Sequence, residues 1–283
     1  MANRHILDIG RAGRARARPA LIQSDRDLNR ALGVPHRSLA FEYTTPTTNS
    51  EIFTSTITGH HTRWITKRAS RSGKWLSFHD PAWSRSGKKI VFFCNAFAGN
   101  DLCVISSKGR HLRKLTHCHC VNDGSLPDWT RGDRIYFTTA QEVAWVSSHG
   151  GKVHRIYHDT YFAGEVSVSP NGRQIAFRAG PDANTRVDMI GAGGGGHHVL
   201  LTSNDYGTDP TDYEYPAWAP DGKSLMVYVA GLGPSQGGKP IGFYRVDPSG
   251  ANLRPVILDD TIGQYPEPDW APKPKHKKKR RRR

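Results

Sequence analysis

Residues 215–228, YPAWAPDGKSLMVY, carry the pattern that constrains the whole chain most tightly. A Pro precedes Trp218, then come Ala219-Pro220-Asp221-Gly222 and an apolar run. Pro220 presets φ, Asp221 can bond its own backbone, and Gly222 tolerates positive φ, which is what a tight turn requires. With apolar residues on both sides, the segment predicts a hairpin: a strand ending at Trp218, a turn, and a second strand over 225–229. The unit returns as PAWSRSGKKIVF at 81–92 and, with a shorter turn, as PDWTRGDRIYF at 127–137. It returns again as VSVSPNGRQIAF at 166–177, with Val168 in the Trp place, and as PEPDWAP at 266–272 without the second strand. From Trp83 through Trp129, Val168 and Trp218 to Trp270 the steps are 46, 39, 50 and 52 residues. A period of roughly 40–50 residues with several strands per unit is the signature of a propeller.

A second strand pair follows each copy. DLCVISSKGRHLRKLT (101–116), EVAWVSSHGGKVHRI (142–156), RVDMIGAGGGGHHVLLT (186–202) and FYRVDPSGANLRPVIL (243–258) all read strand, Gly turn, strand. The combined unit, P-x-W-S-P-D-G-x-x-I-x-F followed by D-I-Y, a Gly turn and L-T, resembles the repeat of the TolB-like β-propeller family. The resemblance covers roughly residues 38–272. It implies an all-β fold of four-stranded antiparallel blades and says little of function, because one fold hosts many activities. It also implies export to the cell envelope and binding of partner segments at one mouth of the central channel.

The first unit begins in mid-repeat. LAFEY (39–43) matches the strand after the Pro-Asp-Gly turn, and EIFTSTITGHHTRWIT (51–66) matches the following pair. The last unit, 265–272, is only the strand that the first one lacks. Five blades closed by the C-terminal strand are therefore expected: 38–66 with 265–272, then 79–116, 126–156, 164–202 and 214–258. A six-bladed ring is the alternative, and it needs strands from 1–37, which do not read as strands. The domains expected are a basic, mostly disordered segment 1–37, the propeller 38–272, and a disordered polybasic tail 273–283. The long connection 67–79 partly mimics the repeat and could be a degenerate copy.

The formal charge of +15 on 283 residues invites a nucleic-acid reading, but its location argues otherwise. Residues 273–283 hold nine Lys and Arg, and residues 1–18 hold five Arg against Asp8, which leaves the body near +2. A nearly neutral propeller has no electrostatic footprint for a duplex. No apolar run approaches the ~20 residues of a membrane helix. The first residues also lack the apolar core of a secretory signal. A bacterial, envelope-associated, periplasmic or secreted location, as the resemblance implies, is thus left open, as is the true start of the chain.

Several residues could carry chemistry. Trp83, Trp129, Trp218 and Trp270, with Val168, are expected to pack between blades rather than bind a ligand. The run Gly191–Gly196 sits where other units have hairpin turns, so a hairpin tip is expected rather than a phosphate cradle, which would open a helix. His117, Cys118, His119 and Cys120 are poor metal candidates, because four ligands in a row cannot all reach one tetrahedral zinc. A surface loop is the expectation there, with Cys118 and Cys120 free, paired or metal-bound. Cys94 ends one strand and Cys103 sits in the next, so the two can lie opposite each other and form a disulfide, or remain buried thiols. A disulfide would place the protein outside a reducing compartment.

In a propeller the links from one blade's outer strand to the next inner strand lie on one face. Here those links are 117–126, 157–164, 203–214 and 259–264, rich in Asp, His and Tyr. The candidate binding face comprises His158, Asp159, Tyr161, Asp205, Tyr206, Asp209, Asp212, Tyr213, Glu214, Asp259 and Asp260. No cofactor is expected. Calcium at Asp205, Asp209 and Asp212 lacks the spacing of an EF-hand loop. No Gly-x-Ser-x-Gly elbow is present, and peptidases that carry similar propellers join them to a separate hydrolase domain. The functional expectation is a non-catalytic, monomeric binding platform for a protein, an extended peptide or another ligand. The alternatives are a small propeller lyase or hydrolase acting on a polysaccharide-like polymer through carboxylates and histidines, and polyanion or anionic-surface binding by the tail.

Overall fold

The structure is a computed structural model, and it describes residues 31–33, 38–44, 49–56, 61–96, 99–121, 125–129, 132–181, 185–202, 211–231 and 240–258. It is a five-bladed, all-β propeller of antiparallel meanders. Blade 1 is β1 (Ala31–Gly33), β2 (Ser38–Thr44), β3 (Ser50–Thr56) and β4 (Arg63–Trp64). One helical turn, α1 (Lys67–Ser70), leads to blade 2: β5 (Ser77–Trp83), β6 (Lys89–Ala96), β7 (Gly99–Ser106) and β8 (Arg113–Lys114). Blade 3 is β9 (Arg134–Thr138), β10 (Glu142–Ser147) and β11 (His154–His158), with 125–129 bridged to β9 through Asp128 and Tyr136 as the fourth member. Blade 4 is β12 (Ala163–Val168), β13 (Gln174–Ala179), β14 (Arg186–Gly191) and β15 (His198–Leu201). Blade 5 is β16 (Thr211–Trp218), β17 (Leu225–Gly231), β18 (Gly242–Val246) and β19 (Arg254–Leu258).

The expected ring-closing segment 265–272, including Trp270, lies outside the described residues. Beside β2 stands β1, with Leu32 opposite Leu39. A strand therefore does come from the segment read as strandless, and it satisfies backbone groups that β2 would otherwise present at a bare edge. The connection after β4 forms α1 and a turn and then runs directly into β5.

The Pro-Asp-Gly hairpins form as the turn chemistry dictates. Gly222 N–H donates to Ala219 C=O at 2.8 Å with Gly222 at φ 68°, and Asp221 accepts the Lys223 amide. Gly87 and Gly172 repeat that bond on Ser84 and Ser169.

Central strands sit between two blades, so alternate residues serve different seams. On β6, Ile90, Phe92 and Cys94 join the core shared with blade 1, whereas Val91 and Phe93 join the core shared with blade 3. That explains why the run is apolar throughout instead of alternating. Among the described residues four cores result, each spanning two consecutive blades, and Trp83, Trp129, Val168 and Trp218 each belong to one of them. Each fully buried Phe or Ile contributes on the order of 1.5–3 kcal/mol.

Two further repeat residues acquire a structural reason. In blades 2 to 5 the Gly of the outer hairpin turn rests on the backbone of the preceding blade. A Cβ would meet Ile65 O at 2.7 Å from Gly109, Leu115 O at 3.1 Å from Gly150, Ile156 O at 2.4 Å from Gly194, and Leu200 O at 2.7 Å from Gly250. The Gly191–Gly196 stretch is thus a hairpin tip as expected, but one clamped at Gly194. The Thr of L-T accepts a backbone N–H in the third strand and donates to the acid just before that residue: Thr66 with Ile52 and Glu51, Thr116 with Leu102 and Asp101.

Candidate functional site

First strands of successive blades lie against each other at the centre of the ring. Asp128 Oδ2 accepts the Val168 amide at 2.7 Å, and Ser167 Oγ accepts the Trp218 amide at 3.1 Å. Three residues before each Trp position the backbone turns left-handed: Asp80 at φ 53°, Leu126 at 39°, Glu165 at 55° and Tyr215 at 51°. The inner ladders of blades 2, 4 and 5 slip register at this bulge. Left-handed backbone at four non-glycine residues costs conformational energy, and such positions concentrate where a fold re-aims side chains.

At the seam of blades 4 and 5 the bulge carries charge. Arg178 on β13 reaches Glu165 Oε1 at 3.3 Å and Glu214 Oε1 at 3.1 Å, and Glu165 Oε2 accepts the Tyr215 amide at 2.7 Å. One guanidinium thus spans two buried carboxyls. Burial pushes the Glu165 carboxyl up to about 8, against Arg178 and with help from Glu214. Burial also raises Glu214, again opposed by Arg178 and aided by Asp212. The Arg178 guanidinium stacks over the Phe162 ring, 5.1 Å from its centroid.

The link between blades 3 and 4 carries the exposed part of the site. Asp159 N–H donates to Gln141 C=O at 2.7 Å, and Asp159 Oδ1 accepts the amides of Tyr161 at 2.8 Å and Phe162 at 3.2 Å. Its other oxygen takes Arg186 Nη2 at 2.6 Å. Burial alone would raise the Asp159 pKa, but the Tyr161 amide, Arg186 and the Phe162 amide together hold it below the ordinary carboxylate range. Arg186 also grips the fully buried Asp188 at 2.9 Å, and Asp188 accepts from or faces His197 Nε2 at 2.9 Å. His197 stacks on Tyr157, and their polar ends lie 3.2 Å apart. The Tyr157 hydroxyl is raised by burial and then by Asp188 and Asp159. On this fixed turn Tyr161 stands 61 % exposed, while Asp159 beneath it is 4 % exposed.

The structure redistributes the expected binding face. His158 and Tyr161 are exposed. Asp159, Tyr213 and Glu214 are buried. Asp212 Oδ1 holds both the amide and the hydroxyl of Thr185, at 2.8 and 3.1 Å. Asp205, Tyr206, Asp209, Asp259 and Asp260 lie outside the described residues, as do two of the three carboxylates considered for calcium. Glu165 was missed by the sequence reading because the bulge position bears a different residue type in every repeat, and Arg178 on β13 belongs to no motif.

Cys94 and Cys103 form a disulfide, and so do Cys118 and Cys120. The first pair is diagonal rather than directly opposite: Cys94 faces Asp101 and Cys103 faces Phe92. With Cys118 and Cys120 paired, no thiolate is left there for a metal. Among the described residues no group of three His, Cys, Asp or Glu side chains is placed to hold a metal ion. No helix among them is long and apolar enough to cross a membrane.

A five-bladed ring with short inner-strand bulges defines the class as a β-propeller. No protein-family model matches the sequence, and no curated protein does. Among solved structures the fold is similar to that of TolB from Acinetobacter baumannii, with a TM-score of 0.67 and 19% identity over 88% of this chain and 59% of that one. A putative TolB from Agrobacterium tumefaciens is similar with a TM-score of 0.57 and 24% identity, over 70% of this chain and 71% of that one. A chain of a nidogen/laminin complex is similar with a TM-score of 0.59 and 12% identity, over 80% of this chain and 78% of that one. The fold is that of a TolB-like propeller, and this chain spans about three fifths of the length of the first of these structures.

Proposed function

We propose that this chain is a non-catalytic binding platform that takes a protein segment or extended peptide on its blade-linking loops, with Tyr161 as the anchor. The observation that carries this reading is the contrast between an exposed Tyr161 and the buried Asp159 that fixes its backbone. An aromatic side chain with few rotatable bonds, on a loop already ordered, loses little entropy on binding. Such residues dominate interface energetics. His158 beside it adds a polar neighbour that can donate or accept. The likeness to a chain solved in a nidogen/laminin complex supports the reading by analogy of fold only.

Chain immobilised through its C-terminus is exposed to extract of the producing cell, beside Tyr161→Ala and Tyr161→Phe chains. The expected result is one species retained by the parent and by Tyr161→Phe, and weakened about tenfold or more by Tyr161→Ala. Equal retention by all three would remove Tyr161 from the reading.

The Glu165–Glu214 pair favours a second reading, a small enzyme acting on a polysaccharide-like polymer, since a carboxyl raised to about 8 is what a general acid requires. Turnover of an acidic oligosaccharide, abolished by Glu165→Gln, is its test. Tail residues 273–283 lie outside the described residues. Polyanion binding by them predicts steep salt dependence and complete loss on their deletion.

A further inference from the structure

The two disulfides sit in opposite environments. Cys94 and Cys103 are both fully buried in the core between blades 1 and 2. Cys118 is exposed and Cys120 half-buried, on the link from β8 into blade 3, with only His119 between them.

The turn at 118–120 is held by contacts that do not depend on its sulfurs. His119 N–H donates to Asp101 Oδ1 at 3.2 Å, and His119 Nδ1 lies 3.2 Å from Asp101 Oδ2. Asp101 is fully buried and is itself fixed by Lys114 Nζ and Thr116 Oγ1, each at 2.8 Å. His119 packs onto Gly99, where an added Cβ would approach its own Cβ to 2.8 Å. The central residue is therefore pinned, with the flanking Cα atoms 5.0 Å apart. Opening the sulfur bridge leaves the two thiols side by side. A ring spanning one intervening residue also restricts the unfolded chain little, so its reduction costs the fold little.

We propose that Cys118–Cys120 is a thiol–disulfide exchange site whose substrate is a dithiol on an exposed protein segment or a small molecule. One substrate thiolate attacks the exposed Cys118 Sγ, the Cys118–Cys120 bond breaks, and the electron pair leaves on Cys120 Sγ, which takes a proton. The second substrate thiolate then attacks its own sulfur in the mixed disulfide and releases Cys118, which takes the second proton. The substrate leaves as a disulfide, and its two electrons and two protons remain on Cys118 and Cys120. Run in reverse, the reduced pair opens a substrate disulfide.

The test uses the full chain, without denaturant, and dithiothreitol as the dithiol. After quenching with iodoacetamide, peptide masses report each Cys. The expected result is label on Cys118 and Cys120 only, one equivalent of oxidised dithiothreitol, and an unchanged circular-dichroism spectrum. In Cys120→Ser, glutathione disulfide should cap Cys118; in Cys118→Ser the cap on Cys120 should form about tenfold more slowly, since access governs attack. Reduction of both pairs together in step with loss of structure would overturn the proposal. So would a Cys118–Cys120 pair that resists reduction, thiols there that oxidised dithiothreitol fails to close, or equal rates in the two Ser variants.

Discussion

The links that leave blades 2 and 3 are built alike and display different chemistry. Each follows an outer strand clamped by a glycine of the next blade, Gly150 on Leu115 and Gly194 on Ile156. Both turns give main-chain amides to a buried aspartate, but from different places: Asp101 on β7 takes His119, and Asp159 within the link itself takes Tyr161 and Phe162. One link then presents a disulfide and the other an aromatic ring. Beyond them the difference deepens, since the bulge residue that follows is Leu126 in one case and Glu165 in the other. The repeat thus fixes the glycine clamp and leaves both the mounting aspartate and the residue it mounts free to differ, which is how a scaffold acquires function without altering its packing.

Removing the mounting should have the largest effect. Asp159→Ala leaves Arg186 with one carboxylate fewer and frees two amides, and is expected to cost about 4 kcal/mol in chemical denaturation. A cost below about 1 kcal/mol would show that the Tyr161 turn is held by something else.

Next come the sulfurs. The double variant Cys94→Ser with Cys103→Ser is expected to lose about 3 kcal/mol by the chain-entropy estimate for its loop. Cys118→Ser with Cys120→Ser should lose roughly 1 kcal/mol, because its ring is so short. Equal losses would erase the distinction between a pair that supports the fold and a pair that is displayed.

The Glu165 seam adds a pH dependence that the Leu126 seam lacks. A carboxyl whose folded pKa is raised to about 8 binds a proton more firmly folded than unfolded. Its contribution is therefore fully present below its unfolded pKa and is lost as pH rises through about 8. Thermal unfolding from pH 5 to 8.5 should show this decline, and Glu165→Gln should flatten it and unfold later than the parent at pH 8.5. An unchanged slope would assign the titration to other groups.

Smallest is the contrast between the clamps. Gly194→Ala, at φ 96° and 2.4 Å from a carbonyl oxygen, should cost about 2 kcal/mol, and Gly150→Ala, at φ 84° and 3.1 Å, about 1 kcal/mol. Reversal of that order in thermal unfolding would mean that the seams relax unequally.

Much of this architecture was legible in the residues. Spacing of Trp83, Trp129, Val168 and Trp218 reports the blades because one bulky side chain per seam is a packing requirement. The turn at 219–222 reports a hairpin because only certain residues tolerate its φ values. The site was less legible, for a physical reason. Asp159, Asp212 and Glu214 read as an acidic rim, yet each is turned toward backbone amides, a hydroxyl or a guanidinium, and a composition cannot tell a carboxylate facing water from one capping a turn. Glu165 escaped notice because the left-handed bulge is a property of the ladder, with Asp80, Leu126, Glu165 and Tyr215 sharing one backbone and no chemistry. The strand pattern lets Cys94 and Cys103 lie opposite each other, bonded or as buried thiols, and the observed ladder bonds them as a diagonal pair.

Hydrogen exchange at the Tyr161 and Phe162 amides of the free protein tests the central claim, a turn ordered before any partner arrives. Both amides should exchange far more slowly than in an unstructured peptide of the same sequence, and Asp159→Ala, which removes their acceptor, should release both while leaving β12 protected. Exchange at the unstructured rate in the parent chain would contradict the claim, since Tyr161 would then be an ordinary loop residue without a fixed display.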